Sequence, residues 1–164
     1  MNLENNRLLL NQFKLGQVIP ELELESIFTD VAPRRMSLKG KPGVILFFNL
    51  GCPGCIARAI PFANRLVYER GEQINVIGIH SNFESIDFEI QDFIKAKNEL
   101  YIRFPIYRDF NFDTSFLNFG AGGTPHWIIF DAELKGVYSI FGSDPNNALL
   151  RLDYRIQELL NSDN

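Results

Sequence analysis

The chain has 164 residues, 46% of them hydrophobic and 22% charged, and a net charge of −4. That length suits one domain with a core of ordinary size, and the balance excludes a disordered or fibrous chain. Lys and Arg are spread along the sequence, so no basic stripe points to nucleic acid and no lysine-rich run points to a membrane surface.

Residues 1–16 are polar at first and then Leu-rich, and are expected to form a short helix or to wrap the surface. Met1 to Gln12 lacks a basic start followed by a long apolar run, so it does not read as a secretory signal. No later stretch reaches about 18 apolar residues, the length that spans a bilayer. Taken as the native start, this predicts a cytoplasmic protein, in a compartment where disulfides are usually transient and catalytic. Gly16 to Pro20 is a loop. Leu22 and Leu24 alternate with Glu21, Glu23 and Glu25, the two-residue period of a half-buried strand. Residues 29–43 hold turn formers with a short strand at most. Residues 1–43 therefore read as an N-terminal extension with a small β-hairpin. Residues 44–160 read as the core of a single domain, 1–164.

Val44 to Phe48 is a continuous apolar run, as in a central strand buried on both faces. Cys52-Pro53-Gly54-Cys55 follows, holding the two cysteines of the chain. A helical pattern comes next, with Ile56, Ile60, Ala63 and Val67 on one stripe. Pro53 suits the first helical position, where its missing N–H is not needed. Cys52 would then sit at a helix N-terminus, where free N–H groups and the dipole favour a thiolate. Cys55 lies one turn further in. Pro61 should kink this helix, and Gly71 should cap its C-terminus. Ile74 to Ile79 is the next strand, ending at His80, and a right-handed β–α–β connection makes it parallel to the first.

Residues 84–97 read as a second helix, with Ile86, Ile90, Phe93 and Ile94 on its stripe. Phe104 to Tyr107 is a short strand, and Phe110 to Phe119 a short helix closed by Gly120. Trp127 to Phe130 and Val137 to Phe141 are strands joined tightly enough to pair antiparallel. Ser143 or Asp144 caps a last helix with Pro145 in its first turn and a stripe of Leu149, Leu152, Ile156 and Leu159.

A strand, a Cys-x-x-Cys and a helix make the setting of a reactive dithiol. Two other readings stand beside it. Zinc needs about four ligands. Beyond the cysteines the candidates are His80 and His126, neither with a partner at ligand spacing. The pair could also be two inert buried cysteines.

Cys-Pro-Gly-Cys after an apolar strand, followed by Gly-Gly-Thr-Pro-His at 122–126 leading into Trp-Ile-Ile-Phe-Asp, resembles the thioredoxin-like superfamily. Within it the chain is similar to the redoxin branch that includes the TlpA-like thiol–disulfide oxidoreductases. The likeness extends to the Ser-Leu-Lys-Gly-Lys-Pro lead-in at 37–42 and covers roughly residues 16–160. It implies an α/β thioredoxin-like fold: a central mixed sheet flanked by helices, an N-terminal β-hairpin extension, and an inserted helix and strand. It implies Pro125 as a cis-proline facing Cys52 and Cys55, with the backbone of Thr124 pairing with an extended substrate. Pro53, Gly54 and His126 would line the substrate site.

Several positions depart from that family. Gly51 stands where thioredoxins carry Trp before the first cysteine. Leu46 stands where they carry a buried Asp, and Arg58 where TlpA-type reductases often carry Glu. Pro61 comes six residues after the second cysteine instead of five. The usual carboxylate for the buried thiol is therefore missing, and His126, His80 or an inward Arg58 are the candidates for handling its proton.

The reaction implied is thiol–disulfide exchange, with an antioxidant role among its uses. Cys52 attacks a disulfide and Cys55 resolves the mixed disulfide. The substrate would be a disulfide-containing protein or a small thiol compound. Electrons would come from an external donor, either a reductase or a low-molecular-weight thiol. Nothing in the sequence requires a flavin, a nicotinamide or a metal, since the redox group is the Cys52–Cys55 disulfide itself. The first alternative is a peroxiredoxin-like peroxidase with Cys52 peroxidatic and Cys55 resolving. It lacks the Thr or Ser expected three residues before Cys52, where Asn49 stands. The second is a non-catalytic binding module on the same fold.

Overall fold

The computed structural model describes residues 13–82 and 87–162. Most of the Leu-rich start, and the first turn of the helix expected from residue 84 with Ile86, lie outside them. The sheet is built outward from Gly43–Phe48 (β2). All six of its residues are buried. Val44, Leu46 and Phe48 pack into one core layer and Ile45 and Phe47 into the other, as strand alternation requires. The other strands are Leu24–Ser26 (β1), Asn75–His80 (β3), Ile106–Asp109 (β4), His126–Phe130 (β5) and Gly136–Phe141 (β6). Their order across the sheet is β1-β4-β3-β2-β5-β6. β2, β3 and β4 run parallel, and β1, β5 and β6 pair antiparallel with their neighbours. The sheet is mixed, as expected.

Three helices cover one face: Ile60–Arg70 (α1), Ile90–Glu99 (α2) and Ala148–Ser162 (α4). They contribute Leu66, Phe93, Leu152 and Ile156 to the core layer that also holds Cys55 and Trp127. The short helix Thr114–Asn118 (α3) and the N-terminal segment cover the other face, with Phe116, Ile19 and Leu22. Among the described residues no helix is long and apolar enough to cross a membrane.

Four expectations shift. Among the described residues the extension forms no hairpin of its own. Its strand β1 adds to the edge of β4, and Val18 bridges Lys135 near the opposite edge. The Leu/Glu alternation marks a half-buried strand but carries no information on its partner. Helix α2 begins at Ile90, because Glu89 N–H donates to the Asp92 carboxylate at 2.9 Å and ends the extended segment there. Among the described residues of its stripe Phe93 is buried, while Ile90 and Ile94 are 47% and 39% exposed. Strand β4 starts two residues later than expected, because Pro105 has no N–H for the ladder. In the last helix Asp144 accepts from Asn146 N–H at 2.7 Å and forms a turn before α4.

The kink expected at Pro61 takes a specific form. Residues 53 and 54 are helical, Cys55–Ala59 is a π-helical turn, and regular helix resumes at Ile60 with Pro61 in its first turn. Ile60 N–H donates to the Cys55 carbonyl, five residues back. A π turn holds one more residue than an α turn. That extra residue matches the one by which Pro61 is displaced from the family spacing. Gly71 caps α1 as expected, with right-handed backbone angles, and its N–H reaches the Val67 carbonyl at 2.9 Å.

Candidate active site around Cys52 and Cys55

β2 delivers the chain to the edge of the sheet at Phe48, and the loop Asn49–Gly51 carries it to Cys52. The three N–H groups that lead to the motif all have partners. Leu50 N–H donates to His80 Nε2 at 3.0 Å, Gly51 N–H to Asn49 Oδ1 at 2.7 Å, and Cys52 N–H to the Asn49 carbonyl at 3.1 Å. Asn49 Nδ2 ties the loop to the Ser81 carbonyl at 3.1 Å. Cys52 is partly exposed and Cys55 is fully buried. Cys55 N–H points at Cys52 Sγ from 3.3 Å, an arrangement that supports negative charge on an attacking sulfur. Burial, and then the hydrogen bond to Cys52, push the Cys55 thiol far above the ordinary thiol range. The two sulfurs therefore differ in kind: one reachable, one sealed in the core and protonated.

The Thr124–Pro125 bond is cis. The Cys52 thiol donates to the Thr124 carbonyl at 3.4 Å, so the loop before β5 lies against Cys52. Pro125 is packed from the other side. A Cβ on Gly54 would stand 2.9 Å from Ser143 Oγ and 3.8 Å from Pro125 Cδ. Gly54 therefore lets Ser143 close over the motif, where a Cβ would force the Ser143 hydroxyl to shift while meeting Pro125 at ordinary contact distance. Gly142 N–H binds the Pro125 carbonyl at 2.9 Å, and Trp127 Nε1–H binds the Gly142 carbonyl at 2.9 Å. Phe141, 61% exposed, stands beside Gly123 at the rim. Leu50, of the loop before Cys52, lines an open groove of about 260 Å3 together with Ile56, Phe88 and Leu100.

The proton-handling candidates are not brought to the sulfurs. His126 follows Pro125, but strand alternation puts its side chain with Ile128 and Phe130, on the face opposite to Trp127 and Cys55. Its Nε2 pairs with Ser139 Oγ at 2.8 Å. Arg58 is exposed on the outside of the π turn and does not turn inward. The ring of His80 reaches the loop ahead of Cys52 and neither sulfur. Among the described residues no three His, Cys, Asp or Glu gather as a metal site would need. Sequence reasoning passed over Ser143 and the Trp127–Gly142 bond, which no local pattern marks. It also missed Asn49 as the organiser of the loop, although Asn two residues before Gly is the signature of a side chain folding onto its own backbone.

Both histidines are buried neutral, pushed down to about 4 by burial, with Arg108 adding to the effect at His80. Burial raises Asp109 to about 6. Below pH 6.5 the unfolded chain protonates two imidazoles that the folded chain keeps neutral, so stability falls on acidification. Asp109 acts in the opposite sense, because its folded carboxyl takes up a proton before the unfolded one does. Two groups outweigh one. Unfolding free energy should drop by on the order of 2–4 kcal/mol between pH 6.5 and pH 4. Urea titrations across that range measure it, and a flat or rising stability would refute the assignment.

No family model matches the chain. No curated protein matches it either. Solved structures do. A thioredoxin-like superfamily protein aligns with a TM-score of 0.78 and 25% identity, over 88% of this chain and 97% of its own. A thiol-disulfide isomerase from Corynebacterium glutamicum aligns with a TM-score of 0.73 and 26% identity, over 86% and 96%. The exposed lipoprotein thioredoxin of Streptococcus pneumoniae shares the fold with a TM-score of 0.65 and 21% identity, over 81% and 97%.

Proposed function

On the thioredoxin-like fold that the chain shares with these structures, we propose that it is a thiol–disulfide oxidoreductase whose working group is the Cys52–Cys55 pair. One observation carries the reading. A partly exposed sulfur at the end of a central strand touches the Thr124 carbonyl ahead of cis-Pro125, and a second sulfur is buried one turn behind it. Fold alone would not be enough, because one fold serves many functions.

Cys52, as thiolate, attacks one sulfur of a substrate disulfide. The substrate S–S bond breaks, and the departing thiolate takes up a proton. Cys55 then attacks Cys52 Sγ and loses its own proton to the second departing thiolate. The substrate gains two electrons and two protons, and the protein is left with a Cys52–Cys55 disulfide. An external thiol or reductase reverses that oxidation. The Thr124 backbone offers an edge to an extended segment of a protein substrate, and no metal or organic cofactor enters the exchange.

The deciding experiment equilibrates the protein in thiol–disulfide buffers and traps free thiols. A midpoint near about −270 mV makes the pair a reductant suited to the cytoplasm. One near about −120 mV makes it an oxidant suited to a more oxidising compartment. If no intramolecular disulfide forms at any poise, the exchange reading is wrong, and a peroxidase or a binding module takes its place.

A further inference from the structure

We propose that His80 is a positioning residue for the dithiol: its neutral imidazole, as a hydrogen-bond acceptor, fixes the loop that presents Cys52. The inference rests on the exchange reading above and assigns His80 a role other than proton transfer.

The geometry starts from what the loop lacks. Gly51 precedes the nucleophile and has no side chain to pack. Asn49 satisfies the N–H groups of Gly51 and Cys52 from within the loop. The Leu50 N–H has no such local partner and takes His80 Nε2, thirty residues away in sequence. A ring nitrogen that accepts an N–H bond carries no proton itself, so the contact demands a neutral imidazole protonated at Nδ1.

The surroundings enforce that form. Phe48, Phe88 and Phe93 meet the ring edge-on, with centroids 5.2, 5.3 and 4.8 Å away. Arg108 lies over Phe93 on its far side and is anchored by the Phe88 carbonyl. Burial beneath these rings, and then the neighbouring Arg108 guanidinium, disfavour an imidazolium, against the opposing pull of the Asp87 carboxylate. The backbone behind it is fixed as well. Ser81 N–H binds the Phe48 carbonyl at 2.9 Å, and Ser81 Oγ–H binds Asp109 at 2.7 Å. Strands β2, β3 and β4 are thus tied together at Ser81, the residue after His80, and the Leu50 N–H bond to His80 Nε2 links that junction to the loop by which the chain leaves β2 for Cys52.

The test compares His80→Phe, which keeps a buried ring and loses the acceptor, with His80→Gln, whose amide oxygen reaches the position of Nε2. The readouts are the rate at which Cys52 attacks a chromogenic aromatic disulfide at fixed pH, and the midpoint of the Cys52–Cys55 couple. Leaving this part-buried N–H without its partner disengages the loop from β3. H80F should attack about tenfold more slowly and shift the midpoint, while H80Q should stay within about twofold of the parent protein. Equal rates and midpoints in all three proteins would overturn the proposal, as would equal losses in H80F and H80Q. A parent protein that forms no disulfide overturns the exchange reading instead. Should H80F fail to fold, nitrogen NMR of the parent protein decides: a coupling between the Leu50 amide and His80 Nε2 supports the role, and an Nε2-protonated ring refutes it.

Discussion

Cys52→Ser removes disulfide turnover, with a loss on the order of a thousandfold or more, whereas Cys55→Ser stops the reaction one step later and leaves substrate covalently attached. The asymmetry follows from burial. Cys52 Sγ is partly exposed and makes weak sulfur contacts to the Thr124 carbonyl and the Cys55 N–H. A serine there fits the same space, but its hydroxyl cannot form a stable bond to a substrate sulfur. Cys55 is sealed beneath the motif, so its loss leaves the first attack untouched. With a serine at 55 nothing displaces the substrate thiolate, and the mixed disulfide on Cys52 persists. Intact mass after incubation with a disulfide peptide reads both outcomes: no adduct for C52S, and a full, reductant-sensitive adduct for C55S. An adduct on C52S, at Cys55, would mean that the buried thiol is the reachable one and would reverse the assigned roles. Retained peroxide consumption by C55S with no peptide adduct would favour the peroxidase reading.

The parts of this site legible in the sequence were those with a local cause. The all-apolar run at 44–48 marks a strand covered on both faces. Cys-Pro-Gly-Cys ahead of a helical stripe marks the turn from β2 into a helix, and Thr124, whose bond to Pro125 is cis, places its carbonyl beside Cys52. What failed depended on contacts between distant residues. Nothing local tells whether β1 pairs within the extension or on β4. His126 sits one residue after Pro125, but a strand turns successive side chains to opposite faces, so nearness in sequence to the site meant distance from the sulfurs. His80 ends a strand next to the nucleophile loop as expected. Its surroundings include Phe88 and Phe93, whose contacts with the ring no local pattern gives, and its Nε2 accepts from the Leu50 N–H. The π turn at 55–59 was foreshadowed by the spacing of Pro61, which was readable as a departure but not as a geometry.

Trp127 joins the core to the site, and its substitution should cost more stability than any single change at the rim. The side chain is fully buried, meets Phe62 edge-on at 5.6 Å, and donates Nε1–H to the Gly142 carbonyl at 2.9 Å. Truncation to alanine removes that apolar contact and leaves a cavity under α1, a loss of about 3–5 kcal/mol. Against a typical total stability of roughly 5–15 kcal/mol, that can unfold much of the protein at 37 °C. Trp127→Phe separates the two contributions, because it keeps most of the apolar volume and drops the donor. The Gly142 carbonyl then loses its partner, at about 1–3 kcal/mol. Gly142 holds the Pro125 carbonyl, and Ser143 covers Gly54. The effect of W127F should therefore appear at the dithiol as well as in stability: a shifted Cys52–Cys55 midpoint in a protein that still unfolds cooperatively. Denaturant titration and the buffer equilibration measure the two quantities on one sample. A W127F protein with lowered stability and an unchanged midpoint would show that the Trp127–Gly142 bond serves the core alone, and that Pro125 and Ser143 are held over the motif by the packing of β5 and β6.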